Sequence, residues 1–144
     1  MADEASIMSG LRINVDNLQY QSLPQSFSAD VSVARGPSPG VVTVPTIGVT
    51  IDFSVLTQAG LCRIMNLDET NYVEFGIKDP ETNKFYPVGE LLAGESYVFR
   101  LSRNVGEEQA GTGSSSATTG PDTNVFWMRA DTASCDVVVE AFDT

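Results

Sequence analysis

Alternating apolar and polar residues run through most of this chain, and this two-residue period is typical of half-buried β-strands. The clearest alternation occupies segments 11–16, 27–33, 47–55, 72–77, 97–102 and 135–141. Segments 61–67, 84–88 and 124–129 are also strand-like but alternate less regularly. No segment combines a 3.6-residue apolar period with capping residues, and 90–93 would form one helical turn at most. The pattern therefore predicts about eight or nine short strands.

Turn-forming residues separate these segments at intervals typical of antiparallel β-structure. The sequence Asp-Pro-Glu-Thr-Asn at 79–83 predicts a hairpin between 73–77 and 84–88. Ala-Gly-Glu at 93–95 predicts a tight turn into the strand that follows, and Gln-Ala-Gly at 58–60 is expected to close the long strand before it. The predicted fold class is all-β, with a single antiparallel β-sandwich or jelly-roll-like domain.

Two stretches interrupt the strand pattern. Residues 35–40, Arg-Gly-Pro-Ser-Pro-Gly, are predicted to form a connection and not a strand, because proline lacks a backbone donor. Residues 106–122 form a long loop rich in Gly, Ser and Thr, with almost nothing to bury. Long loops of this kind are often binding loops or linkers. This one is either a hairpin tip without a role or a loop that becomes ordered against a neighbouring chain.

The first ten residues carry apolar side chains that have no evident place in a core. The sequence therefore predicts an N-terminal arm at 1–10, followed by a β-sandwich domain at 11–144 into which the flexible loop 106–122 is inserted. Such an arm either lies on a neighbouring molecule or frays in solvent.

Poor burial within the chain's own domain selects the candidate partner-binding residues. They fall in the arm and the first strand, in the proline-rich connection, and in or beside the long loop. The candidates are Ile7, Met8, Leu11, Arg35, Pro37, Pro39, Asn104, Val105, Ser115, Thr118, Pro121 and Asp122.

The charge balance disfavours several classes of partner. The chain has 19 acidic and 8 basic residues, a net charge of -11, and its basic residues are scattered. Phosphate backbones and anionic membrane surfaces attract clustered Lys and Arg, so neither nucleic acid nor a membrane is an expected partner. No apolar run approaches the roughly 20 residues of a membrane span, and the first residues do not resemble a signal peptide. We therefore expect synthesis and folding in a reducing cytoplasm.

The residue inventory also argues against catalysis. The chain has no histidine, which removes Ser-His-Asp and Cys-His catalysis as well as ordinary zinc sites. It has no phosphate-binding glycine loop. Paired carboxylates remain conceivable among so many acids, but without a sugar-binding cleft they do not indicate a glycosidase. We expect no enzymatic activity, no cofactor and no resident metal.

Smaller chemical features have simple structural readings. Cys62 and Cys135 lie among apolar residues and are expected to be buried, reduced thiols, although a disulfide between them stays open. The acidic turns at 68–71 and 79–83 lack the spacing of a calcium-binding loop and are read as turn formers. By parity Tyr97 shares a face with apolar residues and is expected in the core.

Residues 46–103 show a recognisable order of strands and turns. They include Ile-Gly-Val-Thr-Ile-Asp-Phe-Ser at 47–54, Asn-Leu-Asp-Glu-Thr-Asn-Tyr-Val-Glu-Phe-Gly at 66–76, and Leu-Leu-Ala-Gly-Glu at 91–95. This segment resembles small β-sandwich virion proteins of tailed bacteriophages, which occur as capsid decoration (cement) proteins and as tail or baseplate parts. The Gly-Pro-Ser-Pro-Gly connection before it is similar too.

That resemblance implies a non-catalytic structural virion protein. It favours a cement protein on the outside of the phage head that stabilises capsomer junctions as a homo-oligomer, with a trimer favoured. The expected partner is the major capsid protein or another virion protein, and the expected location is the virion, after synthesis in the bacterial cytoplasm. The alternatives are a tail, baseplate or neck component with the same fold, or a carbohydrate- or receptor-binding module.

Overall fold

The structure is a computed structural model that describes residues 5–32, 36–79, 82–102, 105 and 126–144. These residues contain twelve strands in antiparallel sheets and no helix, which confirms the all-β class. The strands are β1 (Ala5–Ser9), β2 (Arg12–Val15), β3 (Leu18–Gln21), β4 (Gln25–Ala29), β5 (Ser38–Val44), β6 (Val49–Thr50), β7 (Ala59–Asn66), β8 (Val73–Lys78), β9 (Phe85–Leu91), β10 (Ser96–Arg100), β11 (Phe126–Ala130) and β12 (Cys135–Asp143). This count exceeds the expected eight or nine because β1, β3 and β5 were not predicted as strands.

The described residues group into two compact units, one containing 5–32 with Thr144 and the other spanning 36–143. The boundary therefore differs from the one expected at residue 10. The physical reason is strand pairing, since β1 forms an antiparallel ladder with β4 and cannot act as a separate arm.

The first unit contains the N-terminal hairpin, residues 5–29. Its lower part pairs β1 with β4, and its upper part pairs β2 with β3. The chain reverses after Val15 at Asp16, whose φ of 48° lies in the left-handed region that Asp tolerates better than most residues. Leu11 and Ser22 join the two parts. The Leu11 N–H donates to the Ser22 Oγ at 2.7 Å, and the Leu11 carbonyl accepts the Ser22 N–H at 2.9 Å and the Ser22 hydroxyl at 3.3 Å.

The second unit contains two four-stranded antiparallel sheets. Their strand orders are β10-β7-β12-β5 and β6-β11-β8-β9. Both sheets contribute to one core cluster, whose fully buried members include Ile64, Val137, Val139, Val73 and Met128. Aromatic rings connect the sheets as well, because the ring of Phe99 in β10 lies 6.2 Å from that of Phe75 in β8 and 6.4 Å from that of Phe126 in β11.

Two predicted turns are confirmed. The hairpin between β8 and β9 forms where 79–83 predicted it, with the Asp79 N–H donating to the Lys84 carbonyl at 2.9 Å. The turn before β10 has Gly94 at a φ of 75°, and the Glu95 N–H donates to the Leu92 carbonyl at 3.0 Å. Glycine suits this turn because side chains rarely adopt that backbone conformation.

The proline-rich connection was predicted wrongly in part. Ser38, Pro39 and Gly40 belong to β5, with Pro39 opposite Glu140 of β12. Proline is tolerated there because β5 is an edge strand near its start, where a missing donor breaks no second ladder.

The long strand predicted at 47–55 was also wrong in part. Only Val49 and Thr50 are paired, because the chain turns immediately afterwards. The Asp52 carboxylate accepts the Ser54 N–H at 2.8 Å, and the Leu56 N–H donates to the Phe53 carbonyl at 2.9 Å. Residues 59 and 60 do not close this strand, since they begin β7.

Both cysteines are free, and each has an exposed fraction of only 1%. Cys62 lies opposite Ala141 of β12, six residues along that strand from Cys135. At about 3.3 Å per residue this separates the two positions by roughly 20 Å, well beyond the ~7 Å Cα separation that a disulfide spans. Burial, with the nearby Glu140 charge, raises the pKa of the Cys62 thiol to about 12, and burial also raises the pKa of Cys135.

Asn66 at the end of β7 is a fully buried polar side chain that joins three segments. Its Nδ2 donates to the carbonyls of Asn71, Leu91 and Leu92 at 2.8, 3.2 and 3.3 Å. Its Oδ1 accepts the Asp68 N–H at 3.0 Å. These bonds satisfy buried backbone groups at the junction of the two sheets.

Replacing Asn66 with Ala should lower the free energy of unfolding by roughly 2–3 kcal/mol, because buried carbonyls lose their donor. Urea denaturation followed by circular dichroism measures the change. Ser96→Ala, at an exposed position of β10, is the matched control and should change stability by less than about 0.5 kcal/mol. Equal midpoints for the two variants would contradict the bracing role of Asn66.

The native protein should resist thiol reagents at pH 8, because a thiol with a pKa of about 12 is almost entirely protonated and Cys62 is buried. Titration with a chromogenic disulfide should detect two thiols in denaturant and none within minutes in buffer. A native thiol that reacts at the denatured rate would show that one cysteine lies at an accessible position.

Candidate functional site

The upper part of the N-terminal hairpin has two chemically different faces. Ile13 lies opposite Tyr20, and Val15 lies opposite Leu18, so these four side chains share one face. Leu11 continues the same face by parity, one bonded pair further along. These five residues, Leu11, Ile13, Val15, Leu18 and Tyr20, are called the apolar face of the hairpin below.

Every side chain of the apolar face is exposed. The exposed fractions range from 36% for Ile13 to 60% for Val15. A two-stranded ribbon has no layer of its own to cover such a face, and isolated ribbons are at best marginally stable in water. A contiguous exposed apolar surface on a folded chain usually marks an interaction site. The apolar face is therefore the strongest candidate functional site in the described residues.

The opposite face of the same strands is polar. Arg12 lies opposite Gln21, and Asn14 lies opposite Gln19. Together with the edges of Ile13 and Tyr20, these residues line an open groove of about 330 Å³. The groove offers amide and guanidinium hydrogen bonding and contains no carboxylate that could act with Arg12 as an acid–base pair.

The lower part of the hairpin also exposes large apolar side chains. Ile7 lies opposite Phe27 on one face, while Met8 projects from the other face with an exposed fraction of 77%. Three predicted partner-binding residues, Ile7, Met8 and Leu11, thus lie on one structural element. Ile7 is half-buried, whereas Met8 and Leu11 are exposed.

The remaining predicted partner-binding residues belong to other parts of the chain. Pro37 and Pro39 are exposed at the start of β5 in the other unit. Val105 is half-buried and packs against the core of its own unit, so part of its side chain is already used within the domain. Arg35, Asn104, Ser115, Thr118, Pro121 and Asp122, together with the loop 106–122, lie outside the described residues.

Sequence reasoning missed Val15, Leu18, Tyr20 and Phe27 as members of the hairpin surface. A signal for it was present, because Asp16-Asn17 is a two-residue turn sequence between alternating residues. The segment 18–21 is too short to stand out by periodicity alone, so the partner strand of β2 was not recognised.

The acidic turns behave as turn formers. The Asp68 carboxylate accepts the N–H groups of Thr70 and Asn71 at 2.8 and 2.6 Å, and these bonds lower the pKa of Asp68. The Asp79 carboxylate bonds Thr82 in the same way. Within the described ranges, no group of three or more His, Cys, Asp or Glu side chains converges to hold a metal ion.

Exposed aromatic rings are dispersed over several strands. Tyr20 lies in β3, Tyr86 in β9 and Tyr97 in β10. Tyr97, expected in the core, is 43% exposed because its ring lies at the edge of the core, 6.5 Å from Phe75, and its hydroxyl bonds Glu95. Among the described residues every close ring pair includes Phe75 or Phe126, so no platform of adjacent exposed rings is present.

Across the residues that the structure describes, no helix is long and apolar enough to span a membrane. Comparison with known proteins found no matching family model, no matching curated protein and no matching solved structure. The candidate site therefore rests on the geometry of the N-terminal hairpin alone.

Proposed function

We propose that this chain is a non-catalytic structural protein of a tailed-phage virion, a decoration or cement subunit that binds the outside of the head. In this role the N-terminal hairpin contacts the major capsid protein, and the second unit forms the body of the subunit. The whole protein is made in the bacterial cytoplasm and then incorporated into the virion.

The exposed apolar face of the hairpin is the observation that carries this proposal. Natural proteins protect two-stranded ribbons with charges, prolines or a covering element, because exposed edges and apolar faces attract other chains. Here β2 and β3 contain a single charged residue, Arg12, and it lies on the opposite face. A ribbon with this composition is suited to being covered by another protein in its working state.

The strand order of the second unit supports a jelly-roll body. If β5 to β12 are counted as strands one to eight, the sheets read 1-8-3-6 and 2-7-4-5. The ladders 1-8, 2-7, 3-6 and 4-5 then describe one long antiparallel hairpin wrapped into two facing sheets, which is the jelly-roll arrangement. Viral capsid and lectin domains use this architecture, and this supports the proposal of a virion protein.

The chemistry of the chain supports a structural role as well. Neither thiol is accessible, the sequence has no histidine, and its acidic carboxylates at 68 and 79 are occupied by turn hydrogen bonds. The resemblance of residues 46–103 to phage virion proteins is what favours a phage head among the possible assemblies.

A pair of double variants tests the hairpin as the docking element. Val15→Ser with Leu18→Ser removes a directly opposed pair from the apolar face, and Asn14→Ser with Gln19→Ser removes the adjacent pair from the polar face. Co-sedimentation with purified empty capsids of the encoding phage should show saturable binding of the unmodified protein at high copy number. The apolar double variant should bind at least about tenfold more weakly, since burying one Val or Leu is worth ~1.5–3 kcal/mol.

The polar-face variant is the control and should bind like the unmodified protein. Equal binding by both variants would remove the hairpin as the docking element while leaving the cement role standing. Absence of any binding to capsids would refute the cement role itself, and copy number in intact virions would then decide for a tail or neck component.

A further inference from the structure

The side of the sheet β10-β7-β12-β5 that faces away from the core carries an unusual number of apolar side chains. Two adjacent rows cross the four strands. The first row contains Ser96, Met65, Val138 and Val41, and the second contains Val98, Arg63, Glu140 and Pro39. These eight residues are called the outer face below.

Parity places the outer face away from the core. Phe99, Ile64, Val139 and Val42 alternate with outer-face residues on the four strands and pack in the core cluster. An antiparallel sheet with one solvated face normally alternates apolar inside and polar outside. On the outer face five of the eight positions are instead apolar, and Val41 and Val98 are 64% and 50% exposed.

A single ion pair lies between the two middle strands of the outer face. Arg63 Nη1 donates to Glu140 Oε2 at 2.7 Å, and the two side chains are 39% and 32% exposed. The pair leaves these eight positions with no net charge, and the adjoining rows on the same side add one acidic residue, Asp136, and one basic residue, Arg100. The whole chain, by contrast, has a net charge of -11. A second copy of so acidic a chain meets least repulsion at such a neutral surface.

We propose that the outer face binds the outer face of a second copy of this chain about a two-fold axis. An axis parallel to the strands, between β7 and β12, sets each copy's β10 over its partner's β5 and each β7 over its partner's β12. Row by row, this brings Arg63 of one copy opposite Glu140 of the other, and Met65 opposite Val138. The same surface is therefore complementary to itself in charge and in apolar character, as a two-fold interface requires.

The self-complementary charge pattern favours a second copy over a different partner. A strongly basic or strongly acidic partner would find no net electrostatic attraction at a surface whose charges are paired. A second copy, in contrast, places an opposite charge over each member of the Arg63–Glu140 pair. Pairing through strand edges is disfavoured on the β5 side, because Pro39 has no donor there. The outer faces of the two copies would instead pack face to face, at the usual sheet spacing of about 10 Å. This inference does not depend on the virion role proposed above.

Charge reversal gives a test with a built-in rescue. Sedimentation equilibrium of the full chain, from micromolar to millimolar concentration, should show a monomer–dimer equilibrium. Arg63→Glu places four carboxylates together at the two-fold axis and should weaken dimerisation at least about 100-fold, because opposed like charges are strongly unfavourable at an interface. Adding Glu140→Arg to that variant re-creates the opposite-charge pairs within and between copies, and should restore the dimer.

Two controls make the result specific. Arg129→Glu breaks a comparable exposed pair with Glu74 on the other sheet and should leave dimerisation unchanged. The hairpin variant Val15→Ser with Leu18→Ser should still dimerise, which separates this surface from the apolar face of the hairpin. A protein that stays monomeric over the whole range, or an oligomer that ignores Arg63→Glu, would overturn the inference. Capsid binding is read out separately, so its failure leaves this test intact.

Discussion

The two-residue period of β12 is the constraint on which the second unit depends. Val137, Val139 and Ala141 are completely buried, and β12 is hydrogen-bonded on both sides to β5 and β7. Because side chains alternate strictly, burying this set fixes Val138 and Glu140 on the outside. The registers then bring Arg63 to Glu140, and Val41 and Met65 to the two sides of Val138. The composition of the outer face thus follows from the packing of the core, since a one-residue slip would exchange the two faces along the whole strand.

The N-terminal hairpin follows the same rule without a second layer. Its registers collect Ile13, Val15, Leu18 and Tyr20 on one face as surely as β12 collects its buried residues. A two-stranded ribbon, however, cannot curl over that face, so its side chains stay exposed, whereas those of β12 pack in a core cluster to which both four-stranded sheets contribute. The difference between core and candidate interface here is the number of strands available for covering, and not the residue pattern.

Because the hairpin and β12 share the same alternating pattern, the sequence predicts strands better than it predicts which of their faces are buried. Clear alternation identified most of β2, β8, β10 and β12, and less regular strand-like segments identified most of β7, β9 and β11. It overestimated 47–55, where the Asp52 carboxylate stabilises a turn that competes with the ladder. Pro39 was excluded from a strand because proline lacks a backbone donor, since its edge position cannot be recognised before the sheet order is known. For the candidate site, Ile7, Met8 and Leu11 could be named from poor burial, but their partners depend on registers that pair distant residues. Whether alternating residues become core or surface is therefore a long-range property.

Charge then decides which of these exposed surfaces can meet another copy of the chain. Residues 5–32 contain one basic residue, Arg12, and two acidic residues, Asp16 and Asp30, so most of the net charge of -11 lies elsewhere. Like charges separated by less than about 10 Å repel appreciably at ordinary ionic strength. Two copies can approach closely only where that repulsion vanishes, either because charged residues are absent, as on the apolar face of the hairpin, or because they are paired, as on the outer face. Repulsion between acidic residues elsewhere on the chain thus restricts self-association to a few surfaces. On the outer face, the paired charges also determine how two copies are oriented, which a purely apolar surface cannot do.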